Sequence, residues 1–223
     1  MNEIEKNGSK FETGQYFAAA NACKAVVDQI AANSTVGMNE AHGQALIKAE
    51  FQKIGITKFW HPSKFRIASE TTKSFRELPN QETKLSNGDI FYIDVGPIIQ
   101  EHEADYGKTF IFQEALQPVD HKIRSLSKDS IHVWNETAKA WKNDNLSGKK
   151  LYHYADACAK SLGYRLNPMM GGHRLGDFPH ALFHKGHLSA VEFTPSANLW
   201  VLEIHLIHDE LQRGAFFEDI LTK

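Results

Sequence analysis

The chain has 223 residues, room for one large or two small domains at ~100–200 residues each, and one domain is the expectation. Its 42% hydrophobic and 23% charged residues are enough to build a full core, which sets disorder aside. Lys plus Arg total 25 against 27 Asp plus Glu, and a formal charge of −2 gives no broad field to attract nucleic acid or an anionic membrane, so neither is expected as a partner. The polar start lacks the apolar core of a secretory signal, and no apolar run approaches the ~18 residues of a membrane span. Cys23 and Cys158 stand far apart with no metal-type pairing, which suits a reducing compartment, and the cytoplasm is expected. Twelve His are the compositional feature that stands out, since His is the usual acid, base and metal ligand near neutral pH.

Residues 1–13 carry no periodic apolar pattern and read as a loose tail. From Tyr16 to Ala32 the apolar residues Phe17, Ala20, Val26, Val27 and Ile30 recur mostly at helical spacing. A second helix is expected over Gly37 to Ile54, with Asn39 as its cap and Gly55 as its stop. Thr57 to Ile67 reads as extended, and the polar stretch 68–84 as a loop near a site. The turn Asn87-Gly88-Asp89 feeds a buried strand, IFYIDVGPII, that carries Asp94, and DYGKTFIFQ supplies a second strand carrying Asp105, antiparallel to the first. Pro118 opens a helix reaching about Asn143, and 147–162 form another, ended by Gly163. The remainder, including YRLNPMM, VEFTP and LWVLEIHLI, reads as extended or looped. Two helices with a hairpin, followed by two helices with more strands, suggest two similar halves without a solenoid repeat.

Chemistry gathers at a few positions. Asp94 lies within an apolar strand, where an ionised carboxylate is costly to bury unless it is paired or bound to a cation. Pairing with Lys108 would be the bland solution. Asp105 argues against it, because two facing carboxylates repel unless a metal or a shared proton intervenes. GGHRLGDFPH places His173 and His180 on a Gly-rich loop, and Glu203 repeats the buried-acid pattern in LWVLEIHLI. Glu218, in GAFFEDI, reads on its own as a solvated acid.

The ordered set Asp94, Asp105, His173, Glu203 and Glu218 resembles the M24 metallopeptidase superfamily of methionine aminopeptidases, proline aminopeptidases and prolidases. DIFYIDVGPIIQEHEADYGKTFIFQ is similar to that family's Asp hairpin block, GGHRLGDFPH to its paired-His block, and GMNEAHGQALIKAEFQKIG to the helix before the hairpin. The resemblance implies an α+β pita-bread fold over residues 14–223, with two pseudo-symmetric helix-and-strand halves around a curved antiparallel sheet. It further implies two divalent metal ions, Mn, Co, Fe or Zn, held by Asp94, Asp105, His173, Glu203 and Glu218. The expected activity is hydrolysis of a small peptide or amide by a metal-bridging hydroxide, by a monomer or homodimer, with Glu203 as general base and His180 stabilising the oxyanion. One position departs from the pattern. The family's loop His is absent between His61 and Asp94, and Arg76, near that place, is expected to hold a substrate carboxylate instead. The departure implies weakened peptide cleavage, with a binding protein or non-peptidase on the same fold as the alternative.

Overall fold

The computed structural model of the protein describes residues 3–113 and 119–223. Helix α1, Thr13–Ala32, buries Tyr16, Ala19, Ala20, Cys23, Val27 and Ile30, which apart from the adjacent Ala19 and Ala20 follow one another at steps of three or four residues, as one helix face requires. Helix α2, Glu40–Lys53, begins where Asn39 accepts the His42 backbone N–H while the His42 ring accepts the Asn39 N–H, so two otherwise orphaned donors are satisfied together. Strand β1, Lys64–Ile67, pairs with β2, Ile90–Val95. After a two-residue hairpin, β3 (Ile98–Ile99) with β4 (His102–Glu103), strand β5 covers Tyr106–Ile111 and pairs back with β2.

Helix α3 covers His121–Asp144, with Asp120 capping it through the Lys122 N–H at 2.8 Å. The expected opener, Pro118, lies outside the described residues. Helix α4, Gly148–Ser161, is capped by Ser147 and stopped by Gly163 in the left-handed region at φ 85°. Short strands β6 (Arg165–Leu166) and β7 (His173–Arg174) follow, then the long hairpin β8 (Trp200–His208) and β9 (Arg213–Ile220). Trp134 and Trp141 of α3 anchor this region by donating their indole N–H groups to the Leu202 and Pro195 carbonyls.

The main sheet runs β1-β2-β5-β9-β8-β6, with β7 added beside β8 and every neighbouring pair antiparallel. Its order is a mirror about the β5–β9 seam: three strands from the first half of the chain, three from the second. Phe91, Ile93 and Val95 of β2 face the α1 and α2 core, while Leu202, Ile204 and Leu206 of β8 face the α3 and α4 core. Alternation along each strand therefore turns Asp94, Glu203 and Glu218 to the opposite, concave face. Among the described residues, no helix is long and apolar enough to cross a membrane.

The first residues differ from the loose tail expected over 1–13. Glu5 is buried, and its carboxylate accepts from Ser196 N, Ser196 Oγ and Trp200 Nε1 at 2.7–2.8 Å. The buried Arg174 guanidinium donates to the Lys6 carbonyl and to Asn7 Oδ1, and Glu12 N donates to His102 Nε2. A polar segment without periodicity is held here by side-chain and backbone hydrogen bonds instead of an apolar stripe, so hydrophobic patterning could not register it.

Candidate metal centre

The concave face gathers the acids at the seam of the two half-sheets. Glu203 and Glu218 stand directly opposite each other in the β8–β9 register. Their fifteen-residue spacing is what a hairpin turning at Asp209–Gln212 demands, since His208 pairs with Arg213. Glu218 is also opposite Gly107 of β5, where an added Cβ would come within 2.5 Å of Glu218 Oε1. Glycine there leaves that oxygen its place. Asp105 sits immediately before β5 and only 1% of it is exposed. The solvated reading of Glu218 and the Lys108 pairing of Asp94 both give way. Glu218 is buried, and Lys108 pairs with Asp28 at 2.8 Å on the other side of the sheet.

Asp105 is the centre of the cluster. Its Oδ2 meets His173 Nε2 at 2.6 Å, and its Oδ1 faces His61 Nε2 at 3.3 Å. His61 Nε2 is in turn 3.6 Å from Asp94 Oδ1, and His173 Nε2 is 3.7 Å from Glu203 Oε1. Two sets of side chains, His61 with Asp94 and Asp105, and Asp105 with His173 and Glu218, each bring their ligand atoms within 4.8 Å of one another and can hold an ion. Asp105 belongs to both. Glu218 Oε1 is buried with no hydrogen-bond partner among the described residues, an uncompensated acceptor of the kind a cation satisfies.

The electrostatics follow from crowding acids out of water. Burial, then the neighbouring Asp105 charge, lifts Asp94 to about 6 against the pull of His61. Burial with Asp105 and Asp94 lifts Glu203 to about 7, and burial with the same two acids and Glu203 raises Glu218 well above the carboxylate range. Burial would raise Asp105 as well, but its hydrogen bonds from His173 and His61 outweigh burial and lower it to about 2. Burial would lower the two imidazoles, yet their acidic partners outweigh it and raise His61 and His173 to about 9. A cation placed among these groups does the work that protons do in its absence.

A cavity of about 260 Å³ opens onto the cluster, walled by Trp60, Phe75 and Met170. His180 lines it too, with its Nδ1 2.5 Å from Glu103 Oε2 while Glu103 Oε1 accepts the His180 backbone N–H. Glu103, 1% exposed, thus holds His180 at both its backbone N–H and its ring Nδ1. Of the side chains singled out in the sequence, Asp94, Asp105, His173, His180, Glu203 and Glu218 come together here. Arg76 does not. It is exposed, its guanidinium lies 5.2 Å from the Phe75 ring centroid, and Phe75 forms the cavity wall in its stead.

His61, Trp60 and Glu103 were not among the expected site residues. His61 enters through strand pairing: Lys64 is opposite Asp94, and the pairing extends outward through Trp60 N donating to the Gly96 carbonyl at 2.9 Å. The residues just before β1 therefore lie beside those just after Asp94. An antiparallel register drawn between KFRI and IFYIDV would have found it. The cavity is thus not short of an imidazole on the Asp94 side, as the loop sequence alone implies.

The sequence profile of metallopeptidase family M24 matches residues 15–221. The chain belongs to metallopeptidase family M24. Within the family, it is 25% identical to methionine aminopeptidase 2 of Bacillus subtilis (strain 168) over 130 residues, 52% of this chain and 50% of that protein. It therefore spans about half the length of that relative. Among solved structures, the X-Pro aminopeptidase of Thermotoga maritima MSB8 superposes with a TM-score of 0.78 at 14% identity, covering 99% of this chain and 63% of that one. The methionine aminopeptidase of Thermotoga maritima gives 0.74 at 16% identity over 98% of both chains. The prolidase of Pyrococcus horikoshii OT3 gives 0.75 at 15% identity, over 99% of this chain and 61% of that one. The pita-bread fold of M24 enzymes, α+β around an antiparallel sheet, is the fold of this chain.

Proposed function

We propose that the protein is a dinuclear metal-dependent hydrolase of the aminopeptidase type, with residues 14–223 acting as one catalytic domain on a small peptide or amide. The observation that carries this reading is Asp105, whose two oxygens face two separate ligand sets, next to the unpartnered Glu218 oxygen. Asp94, Asp105, His173, Glu203 and Glu218 are the residues that would hold the pair of cations, and the four carboxylates among them match two divalent charges. When bound, such cations supply Lewis acidity and an ionised water near neutral pH.

The protein's own groups then divide the work. Glu203, in the cavity lining directly opposite Glu218, would take a proton from the attacking water and return it to the leaving amine. His180, held through Nδ1 by Glu103, keeps its Nε2 edge for the developing oxyanion. Trp60, Phe75 and Met170 offer the substrate an apolar wall and exclude water from the acids. An empty binding role is disfavoured, because clustered buried carboxylates repel one another and a protein that only binds a partner has no need of them.

The test is metal analysis joined to hydrolysis. Protein stripped and reloaded with Mn(II) or Co(II) should carry two ions per chain and release the first residue from short peptides, and chelation should abolish the release. Two ions bound without cleavage of any peptide or amide in a broad panel would refute the activity. No stoichiometric ion would refute the site.

A further inference from the structure

We propose that His61 is a sixth metal ligand, donating Nε2 to the cation held by Asp94 and Asp105, so that each cation of the pair carries one imidazole. This rests on the dinuclear reading given above and deepens it.

The first ground is distance. Metal–ligand bonds of ~2.0–2.2 Å at tetrahedral or octahedral angles separate neighbouring ligand atoms by roughly 3.0–3.5 Å. His61 Nε2 lies 3.3 Å from Asp105 Oδ1 and 3.6 Å from Asp94 Oδ1, close to the edge of such a polyhedron.

The second ground is the other ring nitrogen. His61 Nδ1 is 3.2 Å from the Pro62 carbonyl, which only accepts, so Nδ1 carries the proton and donates while Nε2 offers its lone pair to a cation. His173 is arranged in the same way. Its Nδ1 donates to the Arg174 carbonyl at 2.7 Å and its Nε2 points to the other oxygen of Asp105. A ring N–H tied to a backbone carbonyl is how proteins orient metal-binding imidazoles. Here each ring is tied to the carbonyl of the residue that follows it.

The third ground is support. The Trp60 indole packs edge-on against His61 with centroids 4.4 Å apart, and its Nε1–H is held by the Ala104 carbonyl. Gly96 completes the cradle, because a Cβ there would fall 2.4 Å from His61 Nε2 and 2.4 Å from Trp60 Nε1. A ring confined on two sides with its lone pair directed at two acids has the placement of a ligand. A second imidazole also moves the preference of the pair toward Co, Ni, Cu or Zn and away from Mg or Mn.

The probe is Co(II) added to metal-stripped protein, followed by its visible d–d absorption and by proton NMR in water. Each ligating imidazole gives one strongly shifted, solvent-exchangeable N–H signal. The loaded native protein should show two such signals and bind two equivalents. His61→Ala should keep one signal and one tight equivalent, and bind the second at least ~10–100-fold more weakly, the range seen when only a group supporting a ligand is removed. His61→Gln, closer in size, should do the same. Two equivalents bound with a single exchangeable signal, or variants unchanged in affinity and spectrum, would overturn the ligand assignment while leaving the dinuclear site intact. Fewer than two equivalents in the native protein would overturn both. Because the signal count is made on the unaltered chain, a variant that fails to fold does not spare the proposal.

Discussion

Stripping the metal should make stability fall as pH rises, the opposite of what ion-paired acids with depressed pKa usually give. In the metal-free protein the neighbouring acids, outweighing burial, hold His61 and His173 at about 9, whereas an unfolded chain releases those protons near 6.5. The folded state binds more protons, so the stabilisation is complete below about 6.5 and is lost as pH climbs toward 9. Between pH 7.0 and 8.5 each ring holds roughly 0.8 proton more in the folded chain, which at 1.36 kcal/mol per unit is about 3 kcal/mol for the pair. Glu203, lifted to about 7, adds to the loss at the lower end of that window. Asp105 at about 2 and the buried neutral His205 at about 4 act below it, so neither confuses the result. The assay is thermal unfolding of chelated, desalted protein by circular dichroism at both pH values. A loss of 3 kcal/mol corresponds to roughly 6–12 °C in a chain of this size. Protein reloaded with Co(II) should lose much less, since the cation occupies the ring nitrogens in place of protons. A melting temperature that stays level or rises between pH 7.0 and 8.5 in chelated protein would refute the reasoning.

Four further outcomes are expected. His180→Ala should lower kcat by ~10²–10³ with both ions retained, whereas His173→Ala should lose an ion and activity together, as elemental analysis beside kinetics would show. Glu103→Gln should lower kcat with little change in KM or metal content, because it loosens the imidazole that Glu103 holds at 2.5 Å, and an unchanged kcat would count against that positioning. Glu5→Ala should cost about 2–4 kcal/mol in urea unfolding, since three donors lose a buried acceptor at ~1 kcal/mol each. Arg76→Ala should leave kcat, KM and metal content at native values, because its side chain is exposed outside the cavity wall.

How far the sequence could be read varied with the kind of signal each residue carries. Asp94 and Glu203 announce themselves because an acid in an apolar run has a desolvation problem visible in one dimension. Glu218 does not: its neighbours are two Phe and an Asp-Ile pair, and its burial comes from lying between Glu203 and Gly107 in the sheet. Only the family resemblance singled it out. His61 escaped because separation along the chain was taken for separation in space, while the β1–β2 register folds the approach to β1 back beside Gly96. Arg76 erred in the other direction, being near the right place in sequence with Phe75 as the side chain turned to the cavity. The helices were the easiest part, since their caps at Asn39 and Ser147 and their stops at Gly55 and Gly163 are local devices. The anchored first residues were the hardest, because Glu5 finds its partners almost at the other end of the chain.

The mirror order of the sheet has a consequence for how the protein comes together. Each half contributes its own strands and its own pair of helices, and the half-sheets are joined through two register pairs, Gly107 with Glu218 and Lys108 with Phe217, and through Thr109 Oγ1, which accepts from the Phe216 N–H and donates to the Phe216 carbonyl. Glu218, in the first of those pairs, is an acid of the candidate metal cluster. Asp94 and Asp105 come from one half and His173, Glu203 and Glu218 from the other, so the cations would act as rivets across the seam. Joining of the halves and completion of the site would then be coupled, and a chain starved of metal would lose ties across the seam at the place where its chemistry is meant to be.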